Sequence, residues 1–148
     1  MFSLKRKYRF FGLISILFLC IGLTYKYFQT DTFYMIKLGD FIYHNGIDFL
    51  DHYCWVTNLN YTYPHWLYSV LVGLIYNSFG NLGIYVSTIF LFIVLNLSIY
   101  YVNLKTNKDE FMGLIVSLVS CFILSSFATA RGQNVSIIFF FLAVYFIE

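Results

Sequence analysis

Two residues of this chain have the type and the setting for chemistry at a membrane surface. Asp31 stands where the sequence leaves its first long apolar run. A carboxylate there can act as a general base toward a hydroxyl, or help to hold a metal. Its plainer role is an N-cap, because an Asp side chain accepts hydrogen bonds from the first free N–H groups of a helix, and position alone favours the cap. Arg131, with Gln133 and Asn134, interrupts the otherwise apolar sequence between Phe111 and Ile147. A guanidinium suits bidentate contact with phosphate. At the end of a span it can equally reach out to lipid headgroups.

Between these two, His44, His52 and His65 with Asp40, Asp48 and Asp51 offer enough ligands for a divalent metal. No pair has a recognised metal-binding spacing such as His-Glu-x-x-His, so no metal and no cofactor is expected, and a divalent metal is the lesser alternative. Solvation of polar loop residues at an interface explains them more simply. Tyr53, Trp55, Tyr61, Tyr63, Trp66 and Tyr68 can stack on a sugar, and an aromatic membrane belt accounts for them equally well. Cys20, Cys54 and Cys121 have no metal-like spacing and read as packing residues. No nucleophile elbow, phosphate-binding glycine loop or nucleic-acid signature is present, so nucleic acid is not an expected partner.

The elements that must position these residues follow from composition. Sixty per cent of the 148 residues are hydrophobic, 11% are charged, and mean hydropathy is +0.74. That balance excludes an ordinary soluble domain and points to an all-α membrane protein with the lipid bilayer as its solvent. A spanning helix needs roughly 20 mostly apolar residues, since the bilayer core offers backbone groups no water. Tyr8 to Tyr25, Leu82 to Leu104 and Phe111 to Ala130 satisfy this, and Asn134 to Ile147 is a shorter fourth. About four spans are therefore expected in a single integral membrane unit covering the whole chain.

Charge gives the orientation. Lys5, Arg6, Lys7 and Arg9 precede the first span, which puts the N-terminus in the cytoplasm. No small-x-small cleavage site follows, so this segment reads as an uncleaved anchor. Lys105 and Lys108 should again be inside, leaving the loop 26–81 and Arg131 on the extracytoplasmic side. Within that loop, Asp31 to His44 has helical period, with Tyr34, Leu38, Phe41 and Ile42 on one face and Lys37, Asp40 and His44 on another. It reads as an amphipathic helix of about 31–45 lying on the outer surface, with Asn45-Gly46 as its stop. His65 to Phe79 is apolar but short, with Ser69, Gly73 and Asn77 recurring every fourth residue. The preferred reading is an interfacial helix over about 65–79. The alternative, a short span closed by Gly80-Asn81, would put Lys105 and Lys108 outside and Arg131 inside.

The order of several short segments resembles the front end of bacterial GT-C type membrane glycosyltransferases, relatives of dolichyl-phosphate-mannose protein mannosyltransferases and of the aminoarabinose transferase of lipid A. The resemblance runs through Asp31-Thr32-Phe33-Tyr34-Met35-Ile36-Lys37-Leu38-Gly39-Asp40, Asn45-Gly46-Ile47, Asp51-His52-Tyr53-Cys54-Trp55, Tyr63-Pro64-His65-Trp66-Leu67, and Ile75-Tyr76 with Gly80 and Gly83. Ala130-Arg131-Gly132-Gln133 looks like the family's Arg-Pro-Gln segment. The match rests on order and spacing, covers most of this chain, and corresponds to only the front part of a full family member. It departs from the pattern at Thr32 and Met35, where many relatives carry a second acidic residue or a His, and at Gly132 in place of proline.

The resemblance implies transfer of a sugar from a polyprenyl-phosphate donor at the outer membrane face. Asp31 would be the catalytic carboxylate, with Arg131, Gln133, His65 and Asp51 as substrate-binding residues. The family's later spans, which complete the donor cavity, are not in this sequence. The expectation is therefore an N-terminal portion or short form that is inactive alone, with the remaining spans supplied by another chain. The competing expectation is a non-catalytic small membrane protein acting as an assembly or interaction subunit. A transporter subunit is weaker, because no expected span carries a charge within the membrane.

Overall fold

The computed structural model describes residues 2–24, 28–55, 59–107 and 109–147. Tyr25 and Lys108, which entered the reading of span ends and orientation, lie outside the described residues. The fold is all-helical: α1 (Phe2–Leu23), α2 (Thr30–Asn45), α3 (Trp66–Asn107), α4 (Glu110–Ile123), a 3-10 turn (Leu124–Phe127) and α5 (Gln133–Ile147). Two helical stretches are long and apolar enough to cross a membrane, Trp66–Thr106 and Glu110–Phe127, while Arg9–Leu23 and Gln133–Ile147 are apolar but shorter.

Helix α3 joins two segments that the sequence reading kept apart. Its 42 residues are interrupted at Gly80, whose φ of 61° and ψ of −149° are non-helical. That combination is open to glycine and strained for any residue with a Cβ. At 1.5 Å per residue the whole stretch would measure about 63 Å, twice the roughly 30 Å of a hydrocarbon core, so one straight crossing could not contain it.

The chain packs as two compact units, one of Gln29–Ile84 and one of Met1–Phe28 with Tyr85–Glu148. The second unit is a helix bundle, and three contacts set the direction of its members. Arg9 pairs with Glu110 at 3.2 Å, a Cβ on Gly12 would touch Leu114, and Cys20 and Cys121 share one core and contact each other. Residue numbers rise together along both helices, so α1 and α4 run parallel. The later part of α3 runs the other way beside α1. The Cys20 thiol faces the Phe92 carbonyl at 3.8 Å, Asn96 Nδ2 donates to Cys20 Sγ at 3.5 Å, and Tyr100 meets Arg9. Its end turns sharply into α4, where Asp109 caps the helix by accepting from the N–H groups of Phe111 (2.9 Å) and Met112 (3.4 Å).

Helix α5 follows the direction of α3. Lys105 Nζ donates to the Tyr145 carbonyl and sits 4.6 Å above that ring, while Ile99 and Ile137 line one groove. Directions in the bundle thus alternate as up, down, up, down through α1, α3, α4 and α5. Arg9, Lys105, Glu110 and Tyr145 gather at one end. The turn from Ala128 to Gly132 is at the other, the end where α1 stops and Tyr85 begins the later part of α3. Ile16, Phe92, Leu95, Ile99, Ala128 and Ile138 fill the core.

The 29–84 unit is built on a close crossing of α2 with the first part of α3. A Cβ at Gly39 would lie 1.9 Å from the Ser69 carbonyl oxygen, and one at Gly73 would lie 3.0 Å from the Asp40 nitrogen. The backbones approach this closely because neither residue puts a side chain between them. One turn further along, Asn77 Nδ2 donates to Asp40 Oδ1 at 2.8 Å. The small, polar stripe of Ser69, Gly73 and Asn77 is therefore a helix-packing face. On α2, Leu38 and Ile42 are buried with Tyr63, and Tyr34, Phe41, Tyr61 and Val70 pack around them. These α2 residues are the face expected to meet the membrane, and they pack inside the unit.

Between the two helices the connector folds back on itself. Asp51 N–H donates to the Leu59 carbonyl (2.9 Å) and Tyr61 N–H to the Phe49 carbonyl (2.8 Å), around an isolated antiparallel bridge of Leu50 with Asn60. The Tyr53 hydroxyl donates to the Lys37 carbonyl at 2.8 Å and holds the connector against α2.

Candidate functional site

Asp31 lies in the first turn of α2 and is exposed. The helix starts at Thr30 with Gln29 in the N-cap position, and the Gln29 side chain makes no capping hydrogen bond. Asp31 is therefore not the N-cap residue. Its carboxylate instead stands at the positive end of the helix dipole, which favours an anionic side chain there. Asp51 accepts from the N–H groups of Tyr53 (2.9 Å) and Cys54 (3.2 Å), so it shapes a bend in the connector. His65 is exposed just before α3, and its carbonyl receives the Ser69 N–H at 2.9 Å.

Arg131 and Gln133 belong to the bundle, at the break before α5. Arg131 N–H donates to the Thr129 carbonyl at 2.8 Å, and Gln133 is the first, exposed residue of α5. Asn134 fixes this break. Fully buried, it donates through Nδ2 to the carbonyls of Phe127 (2.8 Å) and Thr129 (3.0 Å), which closes the turn that presents Arg131. The expected site residues therefore divide, with Asp31, Asp51 and His65 in one unit and Arg131 and Gln133 in the other. Among the described residues no three of His, Cys, Asp and Glu converge to hold a metal.

The best-organised polar cluster is one that sequence reading did not single out. Asp48 accepts from the Leu50 N–H (3.1 Å), from His52 Nε2 (2.5 Å) and from the Tyr63 hydroxyl (3.0 Å), a proton that Tyr63 shares with the Leu50 carbonyl. The His52 ring lies 4.2 Å from that of Phe41 on α2. Burial alone would raise the Asp48 carboxyl, but the donors from Leu50, His52 and Tyr63 outweigh it and hold it below its ordinary value. The Tyr63 phenol is pushed up to about 12, first by burial and then by its bond to Asp48. Burial likewise raises Tyr34, helped by its neighbour Tyr61. These shifts describe a neutral phenol buttressing an ionised carboxylate, a structural clamp. Its sequence signal was the spacing of Asp48 and His52, four apart, with an Asp two residues before the turn at Leu50.

The bundle also carries an apolar groove of about 390 Å³, bordered by Ile99, Ile123, Ile137 and Phe141, with Ser120 as its polar member. No family model, curated protein or solved structure matches this chain.

Proposed function

We propose that this chain is the front portion, or a short form, of a GT-C-like glycosyltransferase that uses a polyprenyl-phosphate sugar and needs further spans for activity. In this reading α1, the later part of α3, α4 with its 3-10 turn, and α5 are four spans of a multi-pass protein of the cell membrane. The N-terminus is cytoplasmic, and the 29–84 unit, with helices near 31–45 and 65–79, is on the extracytoplasmic face. Asp31 takes the proton from an acceptor hydroxyl as that oxygen attacks the anomeric carbon. The bond to polyprenyl phosphate breaks, and Arg131 steadies the leaving phosphate. Asp51, His65 and Gln133 contact the substrates.

The observation that carries this reading is the parallel direction of α1 and α4. If 65–79 were a further crossing, α4 would have to run opposite to α1. An interfacial 65–79 is compatible with the observed direction. The same alternation gives the Arg131 turn, the end of α1 and the start of the later part of α3 one common end of the bundle. A second reading, the non-catalytic assembly subunit, is favoured by α4 with its 3-10 turn, Glu110–Phe127, of which only 17% is buried. Phe111, Ile115, Val119 and Phe122 are left exposed for partner spans.

A photoreactive polyprenyl-phosphate sugar added to the reconstituted chain tests the proposal. Labelling that free polyprenyl phosphate displaces, and that falls in Arg131→Ala, is expected. Labelling that no phosphate competes with would leave the subunit reading in its place. In an assembly that transfers sugar, Asp31→Asn should abolish turnover while the protein accumulates normally, and unchanged turnover would reduce Asp31 to a helix-end charge.

A further inference from the structure

The first part of α3, Trp66 to Phe79, has two faces of opposite character. One face is Ser69, Val72 and Gly73, all buried, with Ser69 and Gly73 at the crossing with α2. On the opposite face Leu67, Leu71 and Leu74 follow at helical spacing and are 57%, 51% and 37% exposed, with Trp66 at the head of the helix half-exposed. Among the described residues, none of the 29–84 unit covers this stripe. On α2, Leu38 and Ile42 are buried, and the exposed aromatics Phe33 (50%) and Tyr43 (60%) stand ten residues apart on different sides of the helix, so they form no stripe. Beyond the crossing, α2 exposes Asp31, Lys37 and His44.

We infer that the 29–84 unit docks on the lipid bilayer through the Leu67-Leu71-Leu74 face, and carries α2 as a second layer in water. The inference rests on the reading that the chain spans a membrane, and specifies which surface of the unit meets lipid. Three observations select lipid as the occupant. The stripe is part of Trp66–Thr106, a stretch broken at Gly80 that is long and apolar enough to cross a membrane. Its 14 residues amount to about 21 Å, too short to cross on their own. Trp66 at its head has the amphipathic ring that favours the headgroup level. A helix with one bare apolar stripe and a packed reverse face lies in the plane of the interface.

Nitroxide labels on the full chain in phosphatidylcholine vesicles test this, introduced in a Cys54→Ser background at Leu71→Cys, Lys37→Cys and Phe90→Cys. Labels at 71 and 90 should collide preferentially with oxygen, and the label at 37 with a water-soluble nickel chelate. If 90 favours oxygen while 71 favours nickel, or is shielded from both as a protein partner or second copy would shield it, the docking inference fails and the membrane reading stands. If 90 also favours nickel, the membrane reading itself falls. A second measurement leaves every cysteine in place. In Trp55→Phe, brominated phosphatidylcholine should remove most of the emission of Trp66. In Trp66→Phe, the 95% exposed Trp55 should respond to aqueous acrylamide instead. The opposite pattern overturns the assignment.

Discussion

Arg9 and Glu110 meet at 3.2 Å although 101 positions separate them in the sequence. Both side chains keep some contact with solvent, so the pair contributes about 0–1 kcal/mol. Its larger significance is registry. It fixes Arg9, about two turns into α1, level with the start of α4, and with Gly12 against Leu114 it defines two helices running in the same direction.

That direction can be tested by cross-linking. A short bifunctional thiol reagent should link Gly12→Cys to Leu114→Cys within one chain, read on a gel after cleavage between α1 and α4. Gly12→Cys paired with Phe127→Cys should give no link. Efficient linkage of the second pair and not the first would mean that the helices run opposite to one another.

At the α2–α3 crossing, Gly39→Ala should be costly for so small a change. The new methyl group would sit 1.9 Å from the Ser69 carbonyl, a backbone atom that no rotamer change can move. Overpacking of this kind costs about 1–3 kcal/mol. Thermal unfolding in detergent measures it, and a melting temperature within error of wild type would disprove the contact. Gly12→Ala is the matched control, since the Leu114 side chain can swing aside.

Tyr63→Phe removes the donor that Asp48 and the Leu50 carbonyl share, and should lower the stability of the 29–84 unit by about 1 kcal/mol. The effect should depend on pH in a stated sense. Asp48 titrates below its ordinary value in the fold, so its contribution is complete above that ordinary value and is lost as pH falls through the lowered one. Tyr63, raised to about 12, behaves in the mirror sense, its contribution full below the ordinary phenol value and lost as pH rises through about 12. Asp48→Asn should flatten the acid limb of a stability-against-pH curve. An acid limb of unchanged slope would show that other carboxylates produce it.

Asn134→Ala should destabilise the break before α5 by about 1–3 kcal/mol, because the turn loses two side-chain hydrogen bonds and its carbonyls keep only their backbone donors. Hydrogen exchange at Thr129 to Gly132 is the specific readout. Protection there equal to wild type would mean that the turn holds without Asn134.

The helices were legible from apolar runs and their period, and the end of α2 from Asn45-Gly46. Gly46 N–H bonds the Ile42 carbonyl at 2.9 Å, as that stop signal requires. The every-fourth-residue stripe at Ser69, Gly73 and Asn77 was visible in the sequence, but its partner was not. Helical period shows that a face is distinct without showing what lies against it. For the same reason the apolar side of α2 was expected on the membrane and is found packed on Tyr63 and Val70. The Asp48–His52–Tyr63 clamp stayed hidden because Tyr63 is brought back by the fold of the connector, which no local period encodes. The candidate site was legible as residue types, Asp31 and Arg131. Their division between two packing units depends on contacts across more than fifty positions.

The Gly39–Ser69 approach also governs which changes in length the protein can absorb during evolution. A contact of backbone on backbone acts as a registration mark. One residue inserted between Thr30 and Gly39 would bring Leu38 to the crossing and separate the helices, so lineages should hold that interval constant. The described part of the connector is held instead through side chains, His52 to Asp48 and Tyr53 to the Lys37 carbonyl, which can follow a shift that a backbone contact cannot.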